Sequence, residues 1–237
     1  METEKHLRQL TLMLELTDWA FLDRPDVYAT GNMTIFFSPE QLKQQDFRGP
    51  DFFVVIGTER RPRNSWVVWE EGGRFPDVII ELLSKSTRAN DLGPKKQIYQ
   101  DVFRTPEYYA FDPERGELFA FHLSGGRYEQ LSPDARGWIW SERLGHFLGV
   151  REGQLRLFTR EGKPVPTAVE RGLMAEAAQQ RAGKLARKAD EEARKADEEA
   201  RRADEEARRG KEAARKADEE ARRADEEARR ADEEARR

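Results

Sequence analysis

Pro76-Asp77-Val78-Ile79-Ile80-Glu81-Leu82-Leu83-Ser84 opens on one acid, Asp77, and sets a second, Glu81, among five aliphatic side chains. A short apolar run opened by proline suits a central strand covered on both faces. A glutamate inside such a strand is expensive unless something pairs with it. Period-two alternation puts Asp77, Ile79, Glu81 and Leu83 on one face. A second run, Asp51-Phe52-Phe53-Val54-Val55-Ile56, follows Gly49-Pro50. If the two runs pair, Asp51 joins Asp77 or Glu81. Carboxylates that converge repel unless a cation or a proton intervenes. Mg²⁺ or Mn²⁺ is the natural occupant of an all-oxygen site. The alternative is a buried Arg or Lys paired with Glu81, without a metal.

Working outward, residues 84–90 form a short loop, and residues 95–103 carry Ile98, Tyr99, Val102 and Phe103 at helical spacing. Pro94 suits a first helical turn and Asp91 an N-cap. Asp91, Lys95 and Tyr99 then share a face, which leans Lys95 over the strand holding Glu81. There it would orient or activate a water, unless it is simply a solvated first-turn lysine. Upstream, residues 3–21 read as a helix, and 26–37 as strand broken by Thr30-Gly31-Asn32. Residues 57–75 hold Arg60, Arg61 and Arg63. Residues 108–111 read as a strand. Beyond Pro113 the pattern becomes hairpins: 118–123 and 127–131 around Ser124-Gly125-Gly126, then 138–140 and 155–158. The expected fold is mixed α+β with a β-rich second half.

The charge is unevenly spread. Residues 187–237 contain 17 Lys+Arg and 19 Asp+Glu, so 36 of 51 positions are charged, whereas residues 1–186 contain 25 and 27. All five Trp, five Tyr and thirteen Phe precede the tail, so the core must come from the head. The absence of cysteine excludes disulfides, Cys-zinc sites and a cysteine nucleophile. His6, His122 and His146 have no metal-binding spacing. No apolar run approaches a membrane span. The N-terminal segment has acidic residues on both sides of its short apolar stretch and lacks the pattern of a signal peptide, so a cytoplasmic location is expected.

Thr167-Ala168-Val169-Glu170 matches a capping box, dividing the chain into a domain at 1–166 and a helix at 167–237. From Arg187 a seven-residue unit, RKADEEA and its variants, recurs seven times. Its alanines alternate at spacings of four and three, a heptad seam. Two readings stay open: an isolated helix held by its own charge pairs, or a coiled coil making a homo-oligomer through residues 187–237. Alanine buries little area, which weakens the second.

The run from Pro76 to Ser84, followed by Ser86-Thr87, Asp91, Lys95, Tyr99 and Glu107-Tyr108-Tyr109-Ala110-Phe111-Asp112-Pro113, resembles the Uma2 family of endonucleases, also called DUF820. Gly49 to Val55 and Ser65 to Gly72 fit the same pattern, while Asp101-Val102-Phe103 replaces the family's Gly-Val. The resemblance implies a PD-(D/E)XK restriction-endonuclease-like core, αβββαβ, with added antiparallel hairpins. It makes Asp51 the motif aspartate and Glu81 the acidic residue of the third core strand, both catalytic and both metal ligands. A main-chain carbonyl near Leu82 would assist them. Leu83 stands where the motif lysine belongs, so Lys95 becomes the relocated catalytic lysine, supported by Asp91 and Tyr99. Asp77 is a further metal ligand or a cap on the strand, and Glu15 is the available acid on the first helix. The implied activity is Mg²⁺- or Mn²⁺-dependent hydrolysis of phosphodiester bonds in DNA, with no membrane partner; Arg60, Arg61 and Arg63 would then contact backbone phosphates, unless merely solvated. The alternative is an inactive nuclease-like interaction module assembled through its C-terminal helix.

Overall fold

The computed structural model describes residues 3–38 and 49–235. Arg236 and Arg237, the end of the expected tail helix, lie outside them. Helix α1 (Glu4–Ala20) begins at Thr3, whose hydroxyl accepts the His6 amide. It buries His6, Gln9, Leu10, Met13 and Leu16 along one stripe. Strands β1 (Val27–Gly31) and β2 (Ile35–Phe36) are separated at Asn32, which adopts a left-handed φ of 51°. Next come β3 (Phe52–Ile56), β4 (Trp66–Val67) and β5 (Val78–Leu82). Two short helices follow, α2 (Arg88–Asn90) and α3 (Lys96–Asp101), joined by a π-helical turn at Asp91–Lys95. Proline has no amide to continue an α-helical ladder, and Pro94 falls inside that wider turn. The helical segment therefore starts three residues before Asp91, which sits within it rather than capping it.

Strand β6 (Glu107–Asp112) returns parallel to β5, as a helical crossover requires. Strands β7 (Glu117–Ser124) and β8 (Arg127–Gln130) complete a six-stranded sheet of order β1-β3-β5-β6-β7-β8. All its other pairings are antiparallel. A three-stranded sheet holds β9 (Ile139–Ser141), β10 (His146–Arg151) and β11 (Gln154–Phe158). The central β10 was not expected from sequence. Gly149 interrupts its apolar run, and a Cβ there would collide with the Trp138 ring.

Strand β5 is buried at all five positions. Val78, Ile80 and Leu82 pack with Leu10, Met13 and Leu16 of α1 and with Leu148 and Leu157 of the small sheet. On the opposite face, Ile79 and Leu83 pack with Phe53, Trp66, Tyr99 and Tyr108. Glu81 belongs to this second face.

The chain divides into two compact units, Met1–Arg171 and Gly172–Arg237. Helix α4 (Ala168–Ala235) starts on the expected capping box. The Thr167 amide donates to the Glu170 carboxylate at 2.7 Å, and the Glu170 amide to the Thr167 hydroxyl at 3.2 Å. Through the repeat, acid and base side chains pair one turn apart, as in Glu191–Lys195 and Glu198–Arg202. At 1.5 Å per residue α4 is roughly 100 Å long. Among the described residues no helix is long and apolar enough to cross a membrane.

Candidate active site

The antiparallel register of β3 and β5 sets Phe52 opposite Ile80 and Val54 opposite Val78. Continued by one residue, it puts Asp51 beside Glu81 and leaves Asp77 at the far end of the pair. The hydrogen bonds follow this arrangement. The Asp51 amide donates to Glu81 Oε2 at 3.3 Å, and the Leu82 amide to Asp51 Oδ2 at 2.7 Å. Asp77 instead accepts the Ile56 amide at 2.8 Å and faces Arg143 at 3.7 Å. Asp77 therefore sits at the end of the strand pair away from Glu81.

Glu81 is fully buried and held from the helical crossover. Lys95 Nζ lies 2.8 Å from its Oε1, and the Tyr99 hydroxyl donates to the same oxygen at 2.7 Å. Asp91, also buried, takes Lys95 at 3.3 Å. The expected triad of Asp91, Lys95 and Tyr99 is thus gathered around Glu81, with the π turn carrying the first two.

Burial pushes the Glu81 carboxyl up to about 8; Lys95 opposes the rise, and the Asp51 charge adds to it. Burial alone would also raise Asp51. The hydrogen bonds from His6 and the Leu82 amide outweigh it, and Asp51 stays below the usual carboxylate range, with a hydrogen bond to Glu81 also lowering it. Burial disfavours the charged Lys95, but the Glu81, Asp91 and Asp51 carboxylates outweigh this and hold its pKa up. One charged carboxylate beside one that retains its proton is how a converging pair settles without a metal.

His6 is a member that the sequence reading passed over. Its Nε2 lies 3.2 Å from Asp51 Oδ1. The available signal was positional: His6 precedes Leu10 by four and Met13 by seven, a polar residue on the apolar stripe of α1. Glu15, the acidic candidate on that helix, instead accepts the Ala168 amide.

The three arginines expected as phosphate contacts have partners within the protein. Arg60 donates to the carbonyls of Val27 and Phe21. Arg63 holds the Glu71 carboxylate and lies 4.5 Å from the Tyr28 ring centre and 4.9 Å from that of Trp66. Arg61 pairs with Glu59 and Glu71. All three serve the loop that carries them.

A cavity of about 620 Å³ opens over this centre. His6, Asp51, Asp91 and Lys95 line it, together with Ser84, Lys85, Ser86 and Thr87. Among the described residues no group of three or more His, Asp and Glu forms a metal cage. The protein offers two converging carboxylates backed by a fixed ammonium.

The chain belongs to the Uma2 family, described as "Putative restriction endonuclease", whose profile matches residues 1–163. Among solved structures, it is similar to a "putative nuclease belonging to DUF820" from Anabaena variabilis ATCC 29413, at 15% identity and a TM-score of 0.45. That similarity covers 61% of this chain and 75% of the other. No curated protein matches.

Proposed function

We propose that this protein is a metal-dependent endonuclease of the PD-(D/E)XK type that hydrolyses phosphodiester bonds in DNA. The observation that carries the reading is the contact between Asp51 and the buried Glu81 just beneath a cavity lined by Asp51 and Lys95, the latter 2.8 Å from Glu81. The donor set fits a hard divalent ion, because Mg²⁺ is commonly held by one or two carboxylates, several waters and substrate phosphate oxygens. Asp51 and Glu81 would hold it, and when bound it supplies Lewis-acid stabilisation of charge on the scissile phosphate.

The side chains divide the remaining work. Asp51 is kept ionised and fixed by the Leu82 amide and His6. Tyr99 and Lys95 anchor one oxygen of Glu81, which fixes the orientation of the other. Lys95 is itself fixed between Glu81 and Asp91, so it presents a localised positive charge that orients the attacking water against the phosphate. Asp91 and Tyr99 are positioning residues.

A second reading draws on the Glu81–Lys95 contact itself: a buried ion pair that only fixes the crossover to the sheet, in a domain used for binding. The two separate on incubating plasmid and single-stranded DNA with the full chain in Mg²⁺, Mn²⁺ or EDTA. Nicking that requires the ion and disappears in Glu81→Gln is the expected result. Absence of cleavage under every condition, with the protein folded, sinks the nuclease reading.

A further inference from the structure

The turn Ser84-Lys85-Ser86-Thr87 belongs to the motif run that marks the family, yet the chemistry above leaves it without a role. Its four side chains line the same cavity as Asp51 and Lys95. Ser84 Oγ lies 3.1 Å from Ser86 Oγ and 3.0 Å from Thr87 Oγ1. The Thr87 amide donates to Ser84 Oγ, and the Ser84 amide to Thr87 Oγ1. Three hydroxyls carry three protons, and their two mutual contacts use two. One O–H therefore remains to donate outward. The main-chain amides of Lys85 and Ser86 have no acceptor among the described residues.

Charge points the same way. Lys85 is exposed and has no ion-pair partner among the described residues. The neighbouring bases are committed: Lys95 to Glu81 and Asp91, Arg88 to Asp112 and Glu117, Lys5 to Glu114. A turn with spare donors and an unpaired ammonium, three residues past the end of β5, suits an oxyanion. The Asp51 carboxylate, in the same cavity, suits a cation.

We propose that the Ser84–Thr87 turn grips a nucleic-acid backbone phosphate next to the scissile one, setting the register of the strand in the cavity. This rests on the nuclease reading of the same cavity and names the contact that positions its substrate. Because the contact is to phosphate, it adds affinity without selecting sequence.

The test measures binding of fluorescein-labelled single- and double-stranded DNA to the full chain in EDTA across a series of NaCl concentrations. Lys85→Ala is expected to weaken binding about 3- to 10-fold and to reduce the slope of log affinity against log salt by about one, with Lys85→Arg restoring both. Ser86→Ala should weaken binding with the slope unchanged. Arg61→Ala, whose guanidinium is already paired, should alter neither. Unchanged affinity and slope in Lys85→Ala, or a parent protein that binds neither DNA, overturns the proposal. A parent that cleaves while Lys85→Ala binds normally removes the grip and keeps the nuclease. A parent that never cleaves but loses binding in Lys85→Ala keeps the grip and removes the nuclease.

Discussion

Glu81 in the head and Glu191 in the tail each hold a lysine at almost the same distance, 2.8 Å from Lys95 and 2.7 Å from Lys195. The exposures differ: 0% and 18% for the first pair, 65% and 69% for the second. Separation therefore says little about what a contact does. In the tail, water solvates both charges, and each pair is worth a few tenths of a kcal/mol. In the head, desolvation disfavours both ions, so the Glu81 carboxyl keeps its proton up to about 8, while Lys95 is held charged by Asp91 as well.

The largest break in this comparison comes from Glu81→Gln. Cleavage should vanish, while stability at neutral pH should be equal or higher. The folded carboxyl titrates near 8 and the ordinary one near 4.5. Between these values the folded state holds a proton that the unfolded state has lost, so rising pH costs stability. In EDTA the parent should lose up to about 1.4 kcal/mol per pH unit across this window relative to Glu81→Gln. Urea melts at several pH values measure the difference; parallel profiles would refute a buried, proton-holding Glu81.

Lys95→Ala should come next, lowering turnover about 10²-fold while ion affinity changes less. Lys96→Ala should do little. Lys96 lies 4.0 Å from the Phe121 ring centre, on a different set of neighbours. Equal losses from both, in single-turnover assays, would mean that the crossover contributes only diffuse charge.

Arg63→Ala should cost about 2–3 kcal/mol of stability, because its side chain is buried against Glu71 and two rings. DNA affinity should stay put, which a melt and a titration on the same variant will show. The smallest effects belong to the tail. Glu191→Gln should change helicity by a few tenths of a kcal/mol or less. Deleting residues 187–237 should leave metal-dependent activity intact while reducing the far-UV helical signal and hydrodynamic radius. Sedimentation at low and high salt checks the oligomer alternative: a salt-insensitive assembly lost on truncation would make the tail the assembly element.

How legible all this is in the sequence varies with the reach of the interaction. Local patterns exposed the buried strand around Glu81, the four-residue spacing of Asp91, Lys95 and Tyr99, and the capping box at Thr167. Long-range pairing decided the rest. Alternation alone placed Asp77 and Glu81 on one face, but only the antiparallel register shows that Asp51 meets Glu81 and leaves Asp77 behind. His6 carries no motif; its role depends on how α1 lies across the sheet. The arginines of the 57–75 loop looked available because Glu71 and the Tyr28 and Trp66 rings lie near them only after folding. Strand β10 was hidden by Gly149, where a missing side chain makes room for Trp138.

The heptad repeat also makes α4 a graduated ruler. A seven-residue unit advances a helix by about 10.5 Å and leaves its azimuth changed by only about 20°. Gaining or losing one copy moves the far end by a fixed increment while nearly the same face points the same way. With no aromatic or large aliphatic residue in any copy, such a step disturbs no core. Reach along this helix can change in discrete steps, independently of the chemistry in the head.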